Sequence, residues 1–308
     1  MKKKISKKNL LVIGGTGFIG FHILKKAQKL KWKLTSISRN RPQKKRFVKG
    51  VNYLKINIVN NDDLRRKIVG DYDYIINLMG VSAGAFSRIK DNKIYKDQFK
   101  GSKNIIDFFS KKKIERFIQI GSSAEYGAIR IPHHEKKNCK PISSYGKSKL
   151  KITKYLVKKY KKKNMPFTIV RLFQVYGEKQ NMNKIVPFII NNCLYEKSFN
   201  LTEGKQIRDF CHIDDVVKAI FVLLKIKRNN INGEIFNVGL GKSISIKNLT
   251  KLIKQKIGKG KPIFNVIPIK KNEIMKSQAS IIKMKKIVGW SPKISLSKGV
   301  DSLIKKNG

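Results

Sequence analysis

In the first half of the chain, apolar residues concentrate in short runs at Leu10–Ile13, Leu34–Ile37, Tyr74–Leu78, Phe117–Ile120 and Phe167–Val170. Runs of this length, bounded by glycine and polar residues, predict strands buried on both faces. The longer stretches between them read as helices. Strict alternation of this kind predicts an α/β protein, with a parallel sheet, right-handed crossovers and helices on both faces. After about Gly177 the alternation loosens. Helical patterns at Ile185–Tyr195 and Asp214–Lys227 mix there with short strands at Phe199–Leu201 and Glu234–Val238. The pattern predicts a first domain over residues 1–177 and a smaller, helix-rich lobe over 178–308. No low-complexity linker divides them, so the two are expected to pack around a cleft. No repeat of solenoid length is present.

Composition narrows the class. With 41% hydrophobic residues in 308, the chain can bury a sizeable core. No apolar run approaches the roughly 18 residues of a membrane-spanning helix. Leu10 to Leu24, following Met1-Lys2-Lys3-Lys4, imitates a signal peptide but lacks a small-x-small cleavage site. The expected location is cytoplasmic. Basic side chains number 70 against 19 acidic ones, a formal charge of +51, and only 11 of the 70 are Arg. Nucleic-acid readers lean on Arg and cluster their charge on one face. Here lysines are scattered along the whole chain, so no specific nucleic-acid surface is expected. Anionic ligands are still favoured, and nonspecific polyanion binding at low salt is expected. Cys139, Cys193 and Cys211 are odd in number and widely spaced, against a disulfide framework or a zinc site. His133-His134-Glu135 lies in a proline-flanked loop and reads as solvated. Metal-free chemistry is expected.

The segment Leu11-Val-Ile-Gly14-Gly15-Thr16-Gly17-Phe18-Ile19-Gly20 reads as strand, glycine turn and helix. Gly14 would permit the tight turn, Gly17 the approach of a pyrophosphate, and Gly20 close packing of helix on strand. The helix N-terminus offers free N–H groups and partial positive charge to a phosphate. This Gly-x-x-Gly-x-x-Gly spacing resembles that of extended short-chain dehydrogenases/reductases. The resemblance continues in family order through Asn77-Leu-Met-Gly80, Gly121-Ser-Ser-Ala-Glu-Tyr-Gly127, Ser144-Tyr145-Gly-Lys-Ser-Lys149, Arg171-Leu-Phe-Gln-Val-Tyr-Gly177, Arg208-Asp-Phe-Cys-His-Ile-Asp-Asp215 and Gly289-Trp-Ser-Pro292. It implies a Rossmann-type doubly wound sheet and a substrate lobe, as in the epimerases, dehydratases and reductases of nucleotide-diphosphate sugars. The resembled enzymes are commonly homodimers through paired helices.

Tyr145-x-x-x-Lys149 carries the candidate chemistry. A second copy, Tyr155-x-x-x-Lys159, lies ten residues further along the same helix, roughly 280° round it. Tyr155 is therefore assigned to a solvent face. An ordinary tyrosine, with a pKa near about 10, is a poor base at neutral pH. A lysine ammonium one turn away stabilises the phenolate, so Tyr145 can exchange a proton with a sugar oxygen while hydride passes to or from a nicotinamide. By resemblance Lys149 also holds the nicotinamide ribose, and a strand-end serine bonds the reacting oxygen. Counting back from Tyr126-Gly127 gives that role to Ser122; a one-residue shift would give it to Ser123. The resembled 4,6-dehydratases carry an Asp-Glu pair where this chain has Ser123 and Ala124, with Glu125 the only carboxylate nearby. Dehydration is therefore not expected, and a 4-ketoreductase of 4-keto-6-deoxy sugars is preferred. A UDP-hexose 4-epimerase is the alternative, and a catalytically idle nucleotide- or RNA-binding relative is the second.

The end of the second strand, Ser38-Arg39, lacks the acid that would bond the ribose hydroxyls of NAD. Arg39 suits a 2′-phosphate instead, so NADP is slightly favoured over NAD. The resemblance also assigns Asn57, Ile58 and Leu78 to the cofactor. In the second lobe it assigns Arg208 to the substrate diphosphate, with Gln174, Lys270 and Glu273 in support. A planar bidentate donor suits a diphosphate. Asp214 and Asp215 are expected to cap a helix, and His212 to be structural.

Overall fold

The computed structural model describes residues 7–80, 91–163, 165–226 and 231–307. The elements of the first half are β1 (Asn9–Ile13), α1 (Phe18–Lys29), β2 (Lys33–Ser38), β3 (Val51–Lys55), α2 (Asn61–Lys67), β4 (Tyr74–Asn77), α3 (Asp91–Phe109), β5 (Arg116–Ser122), α4 (Ser144–Lys163) and β6 (Phe167–Leu172). There follow β7 (Gln174–Tyr176), α5 (Ile185–Leu194), β8 (Ser198–Asn200), β9 (Ile207–Arg208), β10 (Phe210–His212), α6 (Ile213–Lys225), β11 (Glu234–Val238), β12 (Ile244–Ser245), α7 (Ile246–Ile257), β13 (Lys261–Ile263) and α8 (Leu296–Asn307). The expected helix end at Lys227 lies outside the described residues.

Seven strands form the central sheet in the order β11-β6-β5-β4-β1-β2-β3. The pairs β1–β2, β1–β4, β2–β3 and β4–β5 are all parallel. The doubly wound α/β expectation is met. Leu10 to Ile13 of β1 are almost wholly buried, as a central strand covered on both faces requires. Helix α1 buries Gly20, Phe21, Ile23, Leu24 and Ala27, a single face at helical spacing. Two strands of this sheet depart from the sequence pattern. Glu234–Val238, expected in the second lobe, is an edge strand of this sheet. The other is β3, outside the apolar runs; as the opposite edge it has no fully buried position, which weakens its apolar signal.

The chain divides into two compact units. The first comprises residues 1–121, 147–170 and 220–235. Its core gathers Leu11, Ile37, Ile75, Phe109, Phe117, Leu156 and Phe167. The second comprises residues 122–146, 171–219 and 236–308. Its larger core joins α5, α7 and α8 through Val186, Ile189, Leu249, Ile253, Val300 and Leu303. Ser245 caps α7 by accepting the Asn248 N–H at 3.1 Å, and Gly258 closes that helix at φ 79°.

At α6 the cap differs from expectation. The Asp214 N–H donates to His212 Nδ1 at 3.3 Å, so the histidine rather than an aspartate serves the helix start. Asp215 is fully buried and accepts the N–H groups of Lys293 and Ile294 at 2.9 and 2.8 Å. It anchors the C-terminal segment instead of capping. His212 also meets the Tyr176 ring edge-on, as a structural residue should. Among the described residues no helix is long and apolar enough to cross a membrane.

Candidate active site

The glycine turn closes between β1 and α1. Gly14 adopts φ 82°, and its N–H donates to Ile37 O at 2.7 Å, drawing the turn onto β2. Only glycine takes this conformation without strain. A Cβ on Gly20 would lie 2.5 Å from Gly15 Cα and 2.6 Å from Gly14 O, so helix and turn touch backbone to backbone. Gly17 is the N-cap of α1; no side chain caps it and no acid occupies the first turn. A helix start with those properties fits a pyrophosphate.

The other cofactor candidates are spread around this turn. Ser38 Oγ donates to Ile37 O at 2.8 Å and accepts from Thr16 N at 3.4 Å, tying strand end to turn. Arg39 is exposed. Leu78 donates its N–H to Ile13 O at 2.9 Å, and its Cβ faces Gly14. Phe18 and Ile19 are half-buried on the first turn of α1. Asn57 accepts the Val59 N–H at 3.2 Å in a local turn, while Ile58 is a core residue.

Ser122 ends β5 in extended geometry. Its hydroxyl accepts the Ala124 N–H at 3.1 Å and is hydrogen-bonded to the Tyr145 hydroxyl. Ser123 contributes its carbonyl, which accepts the Tyr126 N–H at 3.1 Å. Burial pushes the Tyr145 pKa up to about 12; the Ser122 bond works against this and the Glu125 charge adds to it. Tyr145 is therefore a phenol with a proton to give. Lys149 stands one turn further along α4. Its Nζ donates to Met79 O at 2.7 Å and Ile120 O at 2.9 Å.

Glu125 does not face this hydroxyl pair as an open acid. It is fully buried, its Oε1 accepting the Ser122 N–H at 2.9 Å and its Oε2 the Arg171 Nε–H at 3.0 Å. Burial is the largest single influence on Arg171 and works against its charge, but Glu125, Tyr126 and Cys139 together outweigh it and keep the guanidinium protonated. The guanidinium also stacks 4.6 Å from the Tyr126 ring centre. The pair is not legible from spacing, because Glu125 and Arg171 are 46 positions apart, whereas the link to Ser122 has the Ser-x-x-Glu spacing of a capping box.

In the second unit Arg208 is half-buried on β9, ion-paired to Glu273 and donating to Ile207 O at 2.9 Å. Burial lowers its pKa against the raising effect of Glu273. The Glu273 N–H donates to Lys270 O at 3.0 Å, so these two residues share one turn beside the arginine, with the Lys270 side chain exposed. Gln174, also exposed, donates its N–H at 2.9 Å to the carbonyl of Asp209, next to Arg208. The substrate candidates thus gather around β7, β9 and the 270–273 turn.

Two expectations need correction. Tyr155 is not a solvent-face residue: it packs against the core between α3 and α4, and its hydroxyl donates to Asp107 Oδ1 at 2.5 Å. Lys103 and Lys159 pair with the same aspartate. His133 is not solvated either. It is wholly buried, its ring stacked on Tyr126 with centroids 4.8 Å apart, and among the described residues neither ring nitrogen has a hydrogen-bond partner. Glu135 of the same loop accepts the Asn237 N–H at 2.9 Å.

The histidine has a measurable consequence. Burial, helped by Lys137 and His134, lowers the His133 pKa to about 4. The unfolded chain, with a histidine pKa near about 6.5, takes up this proton first as pH falls. His133 therefore contributes a loss of stability between about pH 6.5 and pH 4. His133→Phe is expected to remove about 2 kcal/mol of the difference between pH 7 and pH 4.5. Urea unfolding at both pH values checks this. An equal acid loss in variant and parent would show that the imidazole is not responsible.

Residues 10–239 match the model of the NAD dependent epimerase/dehydratase family. That is most of the chain, and the protein belongs to this family. Its fold is very close to that of a UDP-glucose 4-epimerase from Thermotoga maritima solved with UDP-glucose, with TM-score 0.89, 24% identity and coverage of 96% of this chain and 97% of the other. A UDP-glucuronic acid 4-epimerase from Bacillus cereus, solved with UDP-glucuronic acid and NAD, aligns with TM-score 0.84 and 25% identity, over 97% and 99% of the chains. A UDP-N-acetyl-alpha-D-glucosaminuronate decarboxylase from Bacillus cytotoxicus is 25% identical over 97% of each chain. The protein is thus an NAD-dependent enzyme of the extended short-chain dehydrogenase/reductase type, among relatives that act on nucleotide sugars.

Proposed function

We propose that the enzyme carries out oxidation or reduction at C4 of a nucleotide-diphosphate sugar, working by preference as a reductase of 4-keto-6-deoxy sugars. The observation that carries this reading is the site's stock of acids. Ser122 and Tyr145 are bonded to each other, positions 123 and 124 bear no carboxylate, and Glu125 is sealed against Arg171. Elimination across C5 and C6 needs an acid and a base near those carbons, whereas reduction of one carbonyl needs a single proton donor. Tyr145, held protonated by burial, is that donor, and Ser122 orients the reacting oxygen. Lys149 holds the nicotinamide ribose and keeps a positive charge near the phenol. A nicotinamide bound along the glycine turn supplies the hydride. Arg208 and Lys270 hold the diphosphate end, with Gln174 and Glu273 flanking them.

The 4-epimerase reading stays in play because solved relatives with that activity align over nearly the full chain. The two differ in net redox change. UDP-, GDP-, dTDP- and CDP-sugars, including 4-keto-6-deoxy forms, should be incubated with NADH or NADPH. Stoichiometric loss of reduced cofactor with a keto sugar supports the reductase. Interconversion of C4 epimers with no net cofactor change favours the epimerase, and water loss from a hexose would sink both.

NADPH is the proposed reductant, on the strength of Arg39 and the missing acid at position 38. Arg39→Ala is expected to weaken NADPH binding roughly three- to tenfold more than NADH binding, a modest effect because the side chain is exposed. Fluorescence titration with both cofactors measures it; equal losses would return Arg39 to the general basic surface.

A further inference from the structure

Two amides lie inside the sheet with no share in the chemistry above. Asn77 ends β4 and Gln119 lies near the end of β5; they are register partners, and both are fully buried. Placing two amides among Ile75, Ile76, Ile118 and Ile120 is costly unless their hydrogen bonds are made. Each is used. Asn77 Nδ2 donates to Gln119 Oε1 at 2.9 Å, and Asn77 Oδ1 accepts the Met79 N–H at 3.0 Å. Gln119 Nε2 donates to Ile120 O at 3.0 Å.

The two residues reached by this chain of bonds, Met79 and Ile120, present the carbonyls that accept from Lys149 Nζ. Met79 is fixed from its other side as well. A Cβ on Gly101 would lie 2.7 Å from Met79 Cε, and the Ser102 hydroxyl donates to Met79 Sδ at 3.5 Å. The bonds therefore run from the amide pair through two strand ends to one ammonium.

We infer that Asn77 and Gln119 are positioning residues for Lys149: their paired amides orient the Met79 and Ile120 carbonyls that hold its ammonium a turn away from Tyr145. The inference rests on the reading of Lys149 as part of the catalytic set. Met79 lies beyond the end of β4, where strand pairing no longer sets its carbonyl, while Ile120 is still within β5. Asn77 fixes the backbone by binding the Met79 N–H, and Gln119 binds the Ile120 oxygen directly. Two carbonyl oxygens then define where a point charge sits.

The discriminating variant replaces both amides, Asn77→Leu with Gln119→Met. Removing one would strand the other in the core, while replacing both with apolar groups of similar shape spares the fold. In the double variant, kcat is expected to fall at least about tenfold, with KM for the nucleotide sugar within about twofold. The tyrosine limb of the pH profile should rise by about one unit, because a displaced ammonium no longer favours the phenolate. Added to Lys149→Met, the same pair of changes should cause no further loss of kcat. Acetic anhydride labelling, read by mass spectrometry against exposed Lys154, gives a test that needs no turnover. Lys149 should label about tenfold faster in the double variant than in the parent.

Unchanged labelling and an unmoved pH limb in a folded double variant would overturn the inference, as would a further loss of kcat in the Lys149→Met background. If the parent enzyme reduces no sugar at C4, the proposed activity has failed on its own account. The labelling comparison still decides whether the amides hold the lysine.

Discussion

Tyr145→Phe is expected to lower kcat by about a hundredfold to ten-thousandfold, the range of a lost general acid. The phenol is the group bonded to Ser122, and burial keeps it protonated. A phenylalanine keeps the ring and its packing but leaves the developing alkoxide without a proton. KM for the sugar should change little, since in the proposed reading the diphosphate end is held elsewhere, at Arg208. Tyr155→Phe is the matched control. It removes the bond to Asp107 and is expected to cost about 1 kcal/mol of stability without affecting turnover. Steady-state kinetics and thermal melts of the two variants separate these effects. If both lose activity alike, Tyr145 has no special place on the helix.

Arg208→Ala is expected to cost about 2–4 kcal/mol in kcat/KM, as for truncation of a charge-assisted pair. Most of the loss should fall on KM. A diphosphate carries the same charge in the ground and transition states, so a cation that holds it binds both alike. Arg208→Lys should recover part of the loss, because charge returns but the planar fork does not. The substitution leaves Glu273 without its partner at a half-exposed position where water can take over, so the fold should survive. Kinetics with the preferred nucleotide sugar provide the check. A normal KM with collapsed kcat would place Arg208 at the reacting carbon instead.

The parts legible in the sequence are those set by neighbours along the chain. The glycine turn, the apolar strands and the Tyr145–Lys149 spacing each depend on a few adjacent positions, and the structure forms them where the pattern puts them. What the pattern missed depends on distant partners. His133 read as solvated because nothing in its loop announces the Tyr126 ring that covers it. Asp215 sits where a cap would sit, yet it serves backbone groups 78 and 79 positions away. Glu234–Val238 carries an ordinary strand pattern, and only its pairing beside β6 assigns it to the central sheet. Asn77 and Gln119 did leave a trace: each is an amide within an otherwise apolar strand, a polar group that must find a partner in the core. Their matched register could not be read without the sheet.

The Arg208–Glu273 pair bears on how so basic a protein tells one anion from another. At +51 its surface attracts phosphates, polyphosphates and nucleic acids alike. A bare arginine in that field would hold whatever anion arrived first. Here a tethered carboxylate already occupies the guanidinium, present at a high effective concentration that no dilute ion matches. An incoming anion must displace it, and a lone phosphate has only its charge with which to do so. A nucleotide sugar brings other contacts along its length and can meet that cost. With Arg208 as the proposed diphosphate anchor, the resident glutamate would act as a threshold against the ions that the rest of the surface is expected to collect.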